Sequence, residues 1–166
     1  MPRRKILSDA EVLLEARRLF AAGGDKALSF GTLARATGLA ASTLAQRFQS
    51  VGGLQGAAAC AGWQELIAAL DGAARDSAGK GPQSYLKALE PGAAMAPMLL
   101  ALGQRDARAG ELAQEWRGQV ETALALRIGQ GEKARLSAQI LFAAWQGRLL
   151  WGIEGIRLKD LAKRLT

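Results

Sequence analysis

The sequence predicts an all-α protein, and three observations carry that prediction. Alanine, leucine, arginine, glutamine and glutamate dominate, while β-branched residues are scarce and aromatics make up only 5%, so local propensity favours helix nearly throughout. Apolar residues recur at three- and four-residue spacings along most of the 166-residue chain. Glycine and proline clusters, among them Gly23-Gly24, Gly52-Gly53, Pro91-Gly92 and Gly129-Gln130-Gly131, punctuate those stretches at helix-length intervals. At 49% hydrophobic residues, the chain can bury a core as one domain, or as a small headpiece sharing its packing with a larger body.

The first helix starts at Ser8, whose hydroxyl can accept from the Glu11 amide while the Glu11 carboxylate reaches back, the capping-box arrangement. Leu7 and Val12 can staple that end. Val12, Leu13, Ala16, Leu19 and Phe20 then follow at helical spacing until Gly23-Gly24 stops the helix. Ser29 caps a second, short helix carrying Phe30, Leu33 and Ala34 on one face and ended by Gly38. A third runs from about Ala41 to Phe48 or Gln49. Its cap position, Ala40, has no side-chain oxygen, which weakens its start by up to about 1 kcal/mol relative to serine.

The stretch Leu33 to Phe48 therefore reads as two short helices over a glycine turn, a helix-turn-helix spacing. Ala34 is small where the helices cross, Gly38 takes the positive φ of a tight turn, and Leu39, Leu44 and Phe48 close the core beneath. Ser42, Gln46 and Arg47 then lie on the outer face of the third helix, free to enter a major groove. The same spacing also fits an ordinary helical hairpin that binds nothing.

Charge points toward polyanions. The net charge is +7, and residues 1–51 carry eight Lys/Arg against four acids, leaving only +3 for the remainder. Arg3, Arg4 and Lys5 open the chain as a basic arm. Cys60 is the only cysteine and histidine is absent, so a disulfide framework, a metal site and most activated nucleophiles are not expected. No cofactor and no enzymatic activity are predicted. No apolar run is long enough for a signal peptide or a membrane span, which predicts a cytoplasmic protein with no membrane partner.

From Leu54 onward the helices lengthen. The fourth is predicted over about Gly53 to Ala74, with Leu54, Ala58, Ala61, Trp63, Leu66, Ile67 and Leu70 inward. Cys60 sits among small apolar residues there, as a packed side chain. Asp76 to Pro82 is a loop, and Gly79-Lys80-Gly81 lacks the upstream glycine and preceding strand of a phosphate-binding loop. Pro82 suits the first turn of a fifth helix running to about Glu90, broken by Pro91-Gly92. A Met-rich segment follows from Ala93 to about Gly103, and then a long helix from about Arg105 to Ile128. The last long helix, about Glu132 to Ile153, carries two stripes that want partners, Leu136, Ile140, Ala143, Gly147 and Leu150 on one and Leu141, Trp145, Arg148 and Gly152 on another. Ala143, Ala144 and Gly147 permit close helix approach, so this helix, with Trp151 at its end, is predicted to pair with a second copy. A short amphipathic helix ends the chain.

Residues 6–54 resemble the N-terminal domain of the TetR family of bacterial transcriptional regulators. In that family an amphipathic helix precedes Ile-Ala-x-x-Ala-Gly-Val-Ser-x-x-Thr-Leu-Tyr-x-His-Phe-x-Ser-Lys-x-x-Leu. Here Ala34, Gly38, Thr43, Leu44, Phe48, Ser50 and Leu54 fall in register. The resemblance implies a helix-turn-helix headpiece at 1–51 and a helical ligand-binding and dimerisation domain at 52–166. It also implies a dimer, usually a repressor, reading a near-palindromic operator in double-stranded DNA. Ser42, Thr43, Gln46 and Arg47 would lie on the recognition helix, with Thr32 near the phosphate backbone and Arg3, Arg4 and Lys5 adding contacts. The departures are Ala45 for the usual phosphate-bonding tyrosine, Arg47 for histidine, and Val51 for a phosphate-contacting lysine. The expected effector is a small apolar molecule in a cavity walled by Trp63, Tyr85, Met95, Met98, Leu99, Trp116 and Trp145, whose binding would tilt the fourth helix. The alternative is a module of the same fold, binding ligand or protein, whose DNA affinity is weak or lost.

Overall fold

A computed structural model describes residues 7–155 and 157–165. Among these residues there are helices and no strands, as the composition predicts. The order is α1 (Asp9–Gly23), a 3-10 turn (Gly24–Ala27), α2 (Phe30–Thr37), α3 (Ala41–Phe48), α4 (Val51–Ala68) and α5 (Leu70–Asp76). It continues with α6 (Pro82–Ala93), α7 (Ala96–Leu102), α8 (Ala107–Ile128), α9 (Gly131–Trp151) and α10 (Leu158–Leu165).

Packing separates the chain into two compact units. Among the described residues, one holds 7–64 together with Met98–Leu112, and the other holds Glu65–Pro97 and those from Ala113 onward. In the first, Val12, Ala16, Leu33, Leu44, Leu54 and Ala58 are fully buried. Each large aliphatic side chain among them contributes about 1.5–3 kcal/mol relative to exposure. Arg17 is buried with them, and its Nη1 donates to the Ala58 carbonyl at 3.3 Å, tying α1 to α4 across 41 residues. In the second unit Tyr85, Leu86, Val120, Leu124, Leu141 and Trp145 form the centre. The tail helix α10 lies on α9 and α6 there, with Ser137 Oγ donating to the Leu165 carbonyl at 2.8 Å.

Several boundaries differ from the sequence reading. The predicted fourth helix is interrupted at Ala69, where ψ of −14° flattens the turn. The bonds Ala69 N to Glu65 O and Ala73 N to Ala69 O, both 3.1 Å, persist, so the interruption is a bend. Pro91 does not break α6. It is exposed near the end of the helix, where water can take over the carbonyl its missing N–H leaves free, and Ala94 N to Glu90 O at 3.2 Å closes the turn beyond it. The next helix begins at Ala107 because Asp106 caps it, Oδ1 accepting from Ala109 N at 2.8 Å. The last long helix stops at Trp151, with Gly152 left-handed at φ 62°.

Candidate nucleic-acid interface

The headpiece is built by three short-range devices. Ser8 and Glu11 form the capping box that starts α1. Ser29 starts α2 with a second box, completed by Thr32: Thr32 N donates to Ser29 Oγ at 3.1 Å and Ser29 N to Thr32 Oγ1 at 2.9 Å. Gly38 ends α2 at φ 74°, and its N–H donates to the Ala34 carbonyl at 2.8 Å. The chain then turns into α3, which has no side-chain cap at Ala40. Leu33 and Leu44, both fully buried, fasten the two helices from below.

The outward surface of α3 presents Ser42 and Gln46, both exposed, with Thr43 and Ala45 half-buried beside them. Arg47 is also exposed, yet its guanidinium is already engaged: Nη1 donates to the Leu7 carbonyl at 3.0 Å and to Asp9 Oδ1 at 3.2 Å. One nitrogen thus anchors the end of α3 to the start of α1, leaving the other guanidinium donors for a further acceptor. The Thr32 hydroxyl is occupied as well, donating toward the Ala27 carbonyl at 2.8 Å as part of its cap. Arg3, Arg4 and Lys5 lie outside the described residues.

Arg35 adds a cation that the motif reading passed over. It is exposed in the last turn of α2, and no ion-pair partner holds it among the described residues. The signal was its place one turn before Gly38, opposite the inward Leu33. The joint between α3 and α4 is tight: Gln49 adopts φ 65°, Ser50 Oγ accepts from Gly53 N at 2.9 Å, and a Cβ at Gly53 would overlap the Phe48 carbonyl. Val51 stands half-buried at the start of α4.

The residues expected to wall an effector cavity fall into separate groups. Trp63, Leu99 and Met98 belong to the first unit, where Leu99 packs directly on Gly62. Tyr85, Met95, Trp116 and Trp145 belong to the second. There Trp116 and Trp145 lie 6.2 Å apart by ring centroid, and Phe142 meets both edge-on at 5.8 and 6.0 Å. Phe142 went unnoticed in the sequence, although it lies three residues before Trp145 on the same helix. Tyr85 is covered by the Arg127 guanidinium, 4.4 Å above its ring, and burial pushes its phenol above the ordinary range against the pull of that cation. Trp116 also borders a slot of about 310 Å³ between α5 and α6, lined by Leu66, Ala69, Gly72, Ala73 and Leu89.

On α9 the two stripes part. Leu141 and Trp145 are fully buried, whereas Leu136, Ile140 and Leu150 are 57%, 41% and 57% exposed and Trp151 is 76% exposed. Ala143 is exposed and Ala144 and Gly147 half-buried.

The fold has solved counterparts. A protein of unknown function from Rhodococcus sp. RHA1 superposes with a TM-score of 0.69 at 20% identity, over 99% of this chain and 94% of that one. PfmR from Thermus thermophilus, a TetR family transcriptional regulator, superposes with a TM-score of 0.61 at 17% identity, over 92% and 93% of the two chains. The chain has the TetR-family fold. No protein-family profile and no curated protein matches its sequence. The TetR-type architecture therefore rests on helix order and geometry, with the framework residues Ala34, Gly38, Leu44 and Leu54 at its headpiece. Among the described residues no helix is long and apolar enough to cross a membrane.

Proposed function

We propose that this chain is a cytoplasmic, homodimeric DNA-binding transcriptional regulator of the TetR type, acting as a repressor released by a small apolar effector. The observation that carries the reading is the α2–turn–α3 unit: Gly38 sets its angle, and α3 turns Ser42 and Gln46 outward, with Arg47 at its end held to Leu7 and Asp9. Ser42 and Gln46 are suited to base edges. Arg47 and Arg35 are suited to phosphates, with the basic arm Arg3, Arg4 and Lys5 adding to them. The fold shared with PfmR supports the same reading. Two copies related by a two-fold axis would read the halves of a near-palindromic operator. The exposed stripe from Leu136 to Leu150 supports pairing, because an apolar helix face of this length is costly to leave in water. The slot beside Trp116, whose wall is apolar except for Asp76, supports an apolar effector.

The test is fluorescence-anisotropy binding at physiological salt, with the protein's own upstream region and a scrambled duplex of equal length. Specific binding at least about a hundredfold tighter than scrambled is the expected result; equal affinity would refute a sequence-specific regulator. A second reading, a module of this fold with little DNA affinity, is favoured by Ala45 and Val51, which offer no phosphate contact, and by the engagement of Thr32 and Arg47 within the headpiece. Under that reading neither duplex binds above the nonspecific level.

A further inference from the structure

The exposed stripe of α9 and a cleft in the same unit are complementary to each other. Leu136, Ile140, Ala143, Gly147 and Leu150 follow one another at spacings of four, three, four and three residues, the seam of a helix that packs lengthwise on another. The smallest residues, Ala143 and Gly147, lie toward its middle, where two helices approach most closely. At the helix end stands Trp151, 76% exposed. At its beginning, where α8 and α9 diverge from their connecting turn, a cleft of about 530 Å³ opens, lined by Leu126, Gly129, Gly131, Ala134 and Arg135 and by Glu121, which is paired with Arg117. Cβ atoms added at Gly129 and Gly131 would meet open space, and Leu126 at the cleft is 77% exposed.

A two-fold interface places each residue of one copy against a fixed residue of the other. With the two α9 helices antiparallel and Ala143 on the axis, Leu136 falls opposite Leu150 and position 135 opposite position 151. The parallel arrangement would set Arg135 against Arg135, two like charges, and leave the cleft unfilled. The antiparallel one sets an indole against an exposed guanidinium that has no ion-pair partner among the described residues, a cation–π geometry. Gln130, in the same cleft, can accept from the indole N–H.

We propose that Trp151 of each copy seats in the α8–α9 cleft of the other, against Arg135, and is the anchor of the dimer. This rests on the dimer reading above, and the experiment separates the two. In a Cys60→Ser background, single cysteines are introduced as Ala143→Cys, Arg135→Cys and Trp151→Cys, and disulfide-linked dimers are scored after mild oxidation. Ala143→Cys should link to itself. Arg135→Cys and Trp151→Cys should each stay unlinked alone and link when the two chains are mixed. Self-linking at 143 without a 135–151 link would overturn the seat and leave the dimer standing. Self-linking of Trp151→Cys would overturn it in favour of parallel helices. A dimer by sedimentation that does not link at 143 would move the interface elsewhere, and a monomer at every concentration would remove both readings. Independently, Trp151→Ala should weaken the dimer at least about tenfold by sedimentation equilibrium, with helix content unchanged because the side chain is exposed in the single copy; a change below twofold would overturn the anchor.

Discussion

Gly38 shows what one residue decides in this headpiece. At φ 74° a side chain is strained even though the space beside it is open, so Gly38→Ala should cost about 1–2 kcal/mol, read as a shift of the urea midpoint at constant m. The Cys60 thiol donates to Asp106 Oδ1 at 3.8 Å. Burial first, and then the Asp106 charge and this hydrogen bond, push the thiol above its ordinary range. The thiolate fraction at pH 8 is therefore lower than for a free cysteine, and alkylation of Cys60 should be slower than that of a reference peptide. Asp106→Asn should speed it without reaching the peptide's rate, since burial is the larger cause. A group that holds its proton more tightly when folded contributes fully below its unfolded pKa, and that contribution is lost as pH rises through the folded value. Cys60 and Tyr85 are both raised, so thermal stability should decline through the alkaline range, and Cys60→Ser should remove the earlier part of the decline.

At the scale of elements, the caps were the most legible features. Ser8 with Glu11 and the start at Ser29 could be read because a capping box uses residues within four positions of one another. The bend at Ala69 and the passage of α6 through Pro91 could not, because each is decided by packing and solvation rather than by the residue's own preference. The outward surface of α3 divides in the same way. The exposure of Ser42 and Gln46 follows from helical periodicity, whereas the bond from Arg47 to Leu7 and Asp9 spans about forty residues and leaves no local trace. Glycines inside helices illustrate the limit in a form that can be measured. Propensity alone favours alanine over glycine in a helix by about 0.5–1 kcal/mol. Gly110→Ala in α8, where a Cβ meets open space, should gain about that amount. Gly53→Ala in α4 should instead destabilise, because its Cβ would overlap the Phe48 carbonyl at the end of α3. Differential scanning calorimetry of the two variants, with Tm moving in opposite directions, checks both.

For the whole molecule, the balance of charge and specific contacts governs how it would hold DNA. A net charge of +7 draws the chain toward any polyanion, but only cations that meet phosphates enter the salt dependence of binding, each contributing about 0.9 to the slope of log K against log salt. Arg47 is shared with Asp9, and positions 45 and 51 supply no phosphate contact. The wild-type slope should therefore be shallow, carried by Arg35, by Arg47 and by the arm. Ala45→Tyr with Val51→Lys tests that argument. The tyrosine adds a neutral hydrogen bond, while the lysine adds one charge in each headpiece. A two-headed complex should thus bind more tightly and show a slope steeper by about two units in titrations between 50 and 200 mM salt. Tighter binding with an unchanged slope would mean that Lys at position 51 does not reach a phosphate, and that α4 enters the complex at an angle different from the one its fold suggests.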